Sequence, residues 1–155
     1  MDKITYFYPS GGLPSQDRLA FDRSIFTNAY AVIPKSVMKD IVVSYFPKWK
    51  NSRAWVLARP LSGFAETFSQ SIIEVFPRGG SDDPEPDPRA ECVLFVLDGE
   101  LNFMINGQNY ELISGSYVYI PPDQKWTIYN RSNEPARLHW IRKIYAYVDG
   151  LDPPR

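Results

Sequence analysis

Fourteen prolines and nine glycines are spread through 155 residues so that the apolar runs between them stay short. That punctuation leaves little room for long helices. Ala29 to Ile33, Asp40 to Phe46, Ala54 to Ala58 and Thr67 to Phe76 are rich in Val, Ile, Tyr and Phe. Short runs of β-branched and aromatic residues, each bounded by turn formers, read as strands. The pattern continues through Cys92 to Leu97, Leu101 to Ile105, Tyr110 to Ile113, Ser116 to Ile120, Trp126 to Tyr129 and Arg137 to Tyr147. Asp98-Gly99 and Asn106-Gly107 carry hairpin turn signals. Pro77 to Ala90, reading P-R-G-G-S-D-D-P-E-P-D-P-R-A, reads as a loop, because prolines alternating with acids remove the N–H groups a central strand needs. Many short strands joined by such turns predict an all-β antiparallel sandwich or barrel of the jelly-roll kind.

The same reading divides the chain into an N-terminal arm with a short helix over residues 1–25, the helix itself spanning Asp17 to Ile25, then a β domain over 26–148 and a linker-like tail over 149–155. One domain of this size buries about two thirds of its unfolded surface. Seventeen basic and eighteen acidic residues leave a net charge of -1, which predicts no nucleic-acid or anionic-membrane partner and points to a small molecule or another protein. A single cysteine rules out an intrachain disulfide. That usage, with an opening M-D-K-I-T-Y-F-Y-P-S that has no apolar core, makes cytoplasmic location the expectation.

Gly115 to Asn130, G-S-Y-V-Y-I-P-P-D-Q-K-W-T-I-Y-N, resembles the second conserved motif of the cupin family in length and order. Gly115, Pro121 and Asn130 match that motif, whereas Asp123 stands at its second glycine and Trp126 at its metal-binding histidine. An indole N–H is only a donor and cannot ligate a cation. Aligning the first cupin motif on Gly99 places Cys92 at its glutamate and Glu85 and Asp87 at its two histidines, or Pro86 and Pro88 with the shorter spacing. These four degenerate ligand positions, Glu85, Asp87, Cys92 and Trp126, are expected not to bind metal. Glu85 and Asp87 read as part of a solvated acidic loop, Cys92 as a buried structural thiol and Trp126 as filler of the barrel lumen.

Longer phrases narrow the resemblance. Y-P-S-G-G-L-P-S-Q, F-T-N-A-Y-A-V-I-P-K, R-P-L-S-G-F-A-E-T-F-S-Q, G-G-S-D-D-P-E-P-D-P, E-C-V-L-F-V-L-D-G-E-L and R-L-H-W-I-R-K-I-Y resemble the N-terminal half of the (S)-ureidoglycine aminohydrolase family. The likeness runs from about Tyr8 to Pro154. Members of that family are two-cupin proteins of purine and allantoin breakdown that convert ureidoglycine to ureidoglycolate and ammonia. The resemblance implies that manganese is held in the second cupin, by two histidines, a glutamate and a glutamine. It also implies that this chain is the supporting half, without catalytic residues or a metal of its own. Its partner would be a second cupin domain or a further copy in a homo-oligomer. The alternative is a stand-alone metal-free cupin serving as a small-molecule-binding or oligomerisation module.

Three other groups admit two readings each. His139, the only histidine, alternates with Leu138 and Trp140 and reads as a packed or hydrogen-bonded strand residue rather than a catalytic base. Glu66, Gln70 and Glu74 share one strand face, which could line a polar pocket or be the solvent side of an edge strand. Lys48, Lys50 and Arg53 around Trp49 read as a solvated basic turn.

Overall fold

A computed structural model describes residues 25–26, 31–34, 43–58, 68–145 and 149–150. Its strands are β1 (Ile25–Phe26), β2 (Ala31–Val32), β3 (Val43–Ser44), β4 (Lys50–Ala58), β5 (Phe68–Ser81), β6 (Ala90–Asp98), β7 (Glu100–Ile105), β8 (Gln108–Ile113), β9 (Tyr117–Ile120), β10 (Trp126–Tyr129) and β11 (Ala136–Ile144). All the pairings are antiparallel. The described residues contain no helix. Of the helix predicted over Asp17 to Ile25, only Ile25 is described, and it lies in β1. The arm otherwise falls outside the described residues, as does Glu66.

Strands β3 to β11 form one nine-stranded sheet whose main path is β8-β7-β10-β5-β11-β6-β9, with β4 joined to β5 and β3 to β4. The long β5 ties the sheet together. Its first part pairs with β4 and β11, and its last residues pair with β10, Gly80 opposite Tyr129 and Ser81 opposite Ile128. Gly80 is required there, since a Cβ would stand 2.1 Å from the Ile128 carbonyl oxygen.

Alternation then builds the core. Ile73 and Val75 of β5, Leu94 and Val96 of β6 and Leu138 of β11 are inward-facing members of one apolar cluster with Phe103 of β7 and Ile128 of β10. Burying each such side chain contributes about 1.5–3 kcal/mol.

Two turn expectations meet different fates. At Asn106-Gly107, both residues take positive φ, 51° and 74°, and the turn joins β7 to β8 as a hairpin. Asp98-Gly99 is not a hairpin, because β6 pairs with β9 and β11 while β7 pairs with β8 and β10. The Asp98 carboxylate accepts from the Gly99 N–H, and Gly99 turns the corner against Ala136, where a Cβ would meet backbone at 2.8 Å.

The loop predicted over Pro77 to Ala90 is shorter than expected. β5 continues to Ser81 because Pro77 sits in a wide irregularity: Ser52 pairs with Val75 and Lys50 with Gly80, so β5 carries extra residues there that need no ladder partner. Asn51 closes the irregularity by donating its side-chain amide to the Pro77 carbonyl at 2.9 Å.

Candidate functional site

Trp126 opens β10 with its side chain inward, 3% exposed. Its ring lies 5.7 Å from Phe103 and meets Trp140 edge-on at 6.4 Å, and Trp140 also contacts Phe46 and Trp49 at 5.5 and 5.8 Å. Aromatic rings thus fill the space around the position where the motif calls for an imidazole. Cys92 is buried on β6, beside Arg142 of β11 in the register. Burial, above all, pushes its thiol up to about 12, with Glu85 adding to the rise while the Trp140 indole and Arg142 oppose it. At neutral pH it is a protonated thiol with no nucleophilic character.

Glu85 is not the solvated acid expected of the loop. Its side chain is only 4% exposed, and Oε1 accepts a 2.6 Å bond from the Arg142 Nη2 and a 3.1 Å bond from the Asp87 N–H. The Arg142 Nε lies 2.6 Å from Oε2, an ion-pair contact whose alignment leaves Oε2 without a hydrogen bond. The reason lies on β11: Leu138, Trp140 and Arg142 alternate inward, and a guanidinium entering a core needs an anion. That alternation is the sequence signal that would have found Arg142. Asp87 turns instead to Arg89, whose side-chain hydrogen bonds hold its carboxyl down at about 2. Of the four degenerate ligand positions, Glu85 and Cys92 come together around Arg142, Trp126 joins the aromatic cluster, and Asp87 faces away into its own pair.

The motif residues that carry no ligand keep their backbone roles. Asp123 has φ of 60°, a left-handed conformation that aspartate tolerates, so the turn survives without its usual glycine. Its N–H donates to the Pro88 carbonyl at 2.8 Å, tying this turn to the acidic loop. Asn130 is fully buried and acts as a clamp. Its Nδ2 donates to the carbonyls of Val75 and Glu134 at 2.8 and 2.7 Å, while Oδ1 accepts from the Ser132 N–H and hydroxyl at 2.9 and 2.7 Å.

On the outward face of the sheet, His139 lies 2.7 Å from the Gln70 amide, Nε2 to Nε2. That contact requires the amide to donate to a neutral ring, and burial lowers the pKa of His139 accordingly. The edge-strand reading of Gln70 and Glu74 is overturned, because β5 is flanked by β4 and β11. Glu74 is buried between Arg53 and Arg137, the latter at 2.9 Å. Lys48 pairs with Asp83, and Lys50 lies 3.9 Å from Asp82, so the basic turn is matched by the start of the acidic loop. A separate cleft of about 590 Å³, lined by Asp98, Glu100, Glu134 and Arg137 among others, shares no lining residue with the degenerate ligand positions.

Manganese does not fit the side chains at those positions. Trp126 has no lone pair to offer, Cys92 is held protonated, and Glu85 is bound to a fixed guanidinium that repels a dication. Among the described residues, no three His, Cys, Asp or Glu side chains converge as a ligand set. Among the described residues, no helix is long and apolar enough to cross a membrane.

A family model for the cupin domain matches residues 72–142, the stretch from β5 to β11. This is a cupin fold. A structure from Pseudomonas aeruginosa, of a protein named for induction by glyoxylate, matches this cupin domain with a TM-score of 0.79 and 53% identity, covering 99% of this chain and 55% of the other. The Escherichia coli protein Ylba matches with a TM-score of 0.76 and 24% identity, over 90% of this chain and 56% of that one. (S)-Ureidoglycine aminohydrolase of Escherichia coli strain K12 is 25% identical over 126 residues, 81% of this chain and 46% of the enzyme. The chain therefore spans about half the length of these relatives.

Proposed function

We propose that this cupin is the non-catalytic half of a ureidoglycine aminohydrolase-like system of purine and allantoin catabolism. Its work is structural, and the metal-dependent hydrolysis belongs to a second cupin. The observation that carries this reading is the replacement of the ligand set: an indole at the histidine position, a protonated thiol at the glutamate position, and Glu85 captured by Arg142. A hard cation needs several oxygen or imidazole donors and an open coordination position, and these side chains supply neither. The likeness to the K12 aminohydrolase supports the substrate assignment, and the shared half-length supports the division of labour.

Ammonia release from (S)-ureidoglycine in the presence of Mn²⁺ tests the proposal. The 155-residue chain gives only the background rate, and its metal content after dialysis is negligible. Turnover near that of a full-length two-cupin enzyme, or stoichiometric manganese retained by this chain, overturns the reading.

A further inference from the structure

One corner of the barrel holds a buried donor and a buried acceptor that do not meet. Trp140 is 3% exposed, and its indole N–H finds no hydrogen-bond partner among the described residues. The Glu85 Oε2 is also left without a hydrogen bond, although the Arg142 Nε stands 2.6 Å away. Both groups lie beside Cys92, whose thiol the indole and the carboxylate pull in opposite directions. Native structures leave few buried polar groups unmatched, and two in one corner show that the Glu85 side chain fits its surroundings imperfectly.

The rest of the corner suits a carboxylate that is free to turn. Arg142 presents Nε and Nη2, one edge of its guanidinium, and that fork takes both oxygens of a carboxylate. The guanidinium lies over the Trp140 ring, 5.5 Å from its centre, which helps to hold it in place. Nearby acids are engaged elsewhere, Asp87 with Arg89 and Glu91 with the Tyr119 hydroxyl. Withdrawal of Glu85 therefore leaves Arg142 as the charge facing the corner. Arg142 is 33% exposed, so the corner reaches solvent on that side.

Glu85 itself sits on a loop pinned beyond it at both ends. The Ser81 hydroxyl donates to the Lys48 carbonyl at 2.6 Å, and the Pro88 carbonyl accepts from the Asp123 N–H at 2.8 Å. Between these pins, the pairs of Asp83 with Lys48 and Asp82 with Lys50 are exposed and contribute little. We propose that the corner formed by Arg142, Trp140 and Cys92 is a binding site for a small monocarboxylate, and that Glu85 is an internal ligand keeping it shut. A carboxylate not tied to the chain lies along the guanidinium edge and also accepts from the Trp140 N–H, while Glu85 turns out into water. Neither unmatched group then remains. The site does not depend on the division of labour between two cupins.

Acetate, the glutamate side chain cut beyond Cβ, is the probe. It is titrated against sodium chloride of equal ionic strength while NMR follows the Trp140 indole N–H resonance. In Glu85→Ala the resonance moves downfield and saturates, with a Kd at least ~10-fold below that of the wild-type chain, because the tether holds Glu85 at an effective concentration on the order of millimolar. Adding Arg142→Gln to Glu85→Ala abolishes the shift. No acetate-dependent shift in Glu85→Ala, or an equal one once Arg142 is replaced, overturns the site. Equal affinities in wild type and Glu85→Ala overturn the role of Glu85 as internal ligand. A Glu85→Ala chain that has lost its cooperative urea unfolding also overturns the inference, since the pair with Arg142 is then a fixed part of the fold.

Discussion

Asn130→Ala removes four hydrogen bonds in one step and leaves the Glu134 carbonyl with the Ser132 hydroxyl at 3.0 Å as its remaining side-chain donor. Two are those donated to the carbonyls of Val75 and Glu134, and two are those accepted from Ser132. The Val75 carbonyl is buried, so stranding it costs about 1–3 kcal/mol, and the three bonds nearer solvent cost roughly 0.5 kcal/mol each. The total is about 3 kcal/mol. In a domain of this size 1 kcal/mol moves Tm by about 2–4 °C, so the variant melts roughly 6–12 °C lower. Circular dichroism melts and urea midpoints measure the loss directly, with an unchanged m-value showing that the fold itself is kept. Asn130→Asp keeps the shape and Oδ1 but turns the donor into an acceptor facing two carbonyl oxygens, so it costs at least as much. A Tm within about 2 °C of wild type for either variant refutes the reasoning, since the clamp would then contribute less than one solvent-exposed hydrogen bond.

Other expectations follow from single contacts. Gly80→Ala forces a Cβ to 2.1 Å from the Ile128 carbonyl oxygen at φ of 144°, and loss of well over 2 kcal/mol in urea unfolding is the expected outcome. Cys92, with its thiol at about 12, stays unmodified by iodoacetamide at pH 8 in native protein and reacts once the chain is unfolded in urea. His139 is held below its ordinary pKa by burial, so as pH falls through about 6.5 the unfolded chain takes up a proton that the folded chain resists. Stability therefore declines from pH 7 towards pH 5, and His139→Gln makes that decline shallower in urea midpoints measured across the range.

Local signals located most strands, and their failures have physical causes. Trp126 to Tyr129 was legible to the residue because prolines precede it and Asn130 ends it. Pro77 misled in the other direction: a proline with glycines after it reads as a loop, yet a local mismatch in strand length hosts it within β5. Asp98-Gly99 has the composition of a hairpin, but hairpin formation depends on which strands lie adjacent, and that is decided by the crossover to β11. That Glu85, Asp87, Cys92 and Trp126 depart from the residue types of the motif could be read from the sequence alone. Arg142 and Glu85 could not be paired that way, because they lie 57 residues apart and neither follows a local motif. Asn130 fitted a motif, but its work as a clamp emerges only when the Val75 carbonyl is brought beside it.

The crowding of indoles in the barrel also fixes the optical behaviour of the chain. Trp49, Trp126 and Trp140 are at most 8% exposed, and neighbouring rings among them stand 5.8 and 6.4 Å apart. Chromophores that close exchange excitation and couple their transitions. These three indoles therefore emit in the blue and carry a distinct near-ultraviolet couplet beside the signal of the half-buried Trp55, and both features vanish together when the sheet opens.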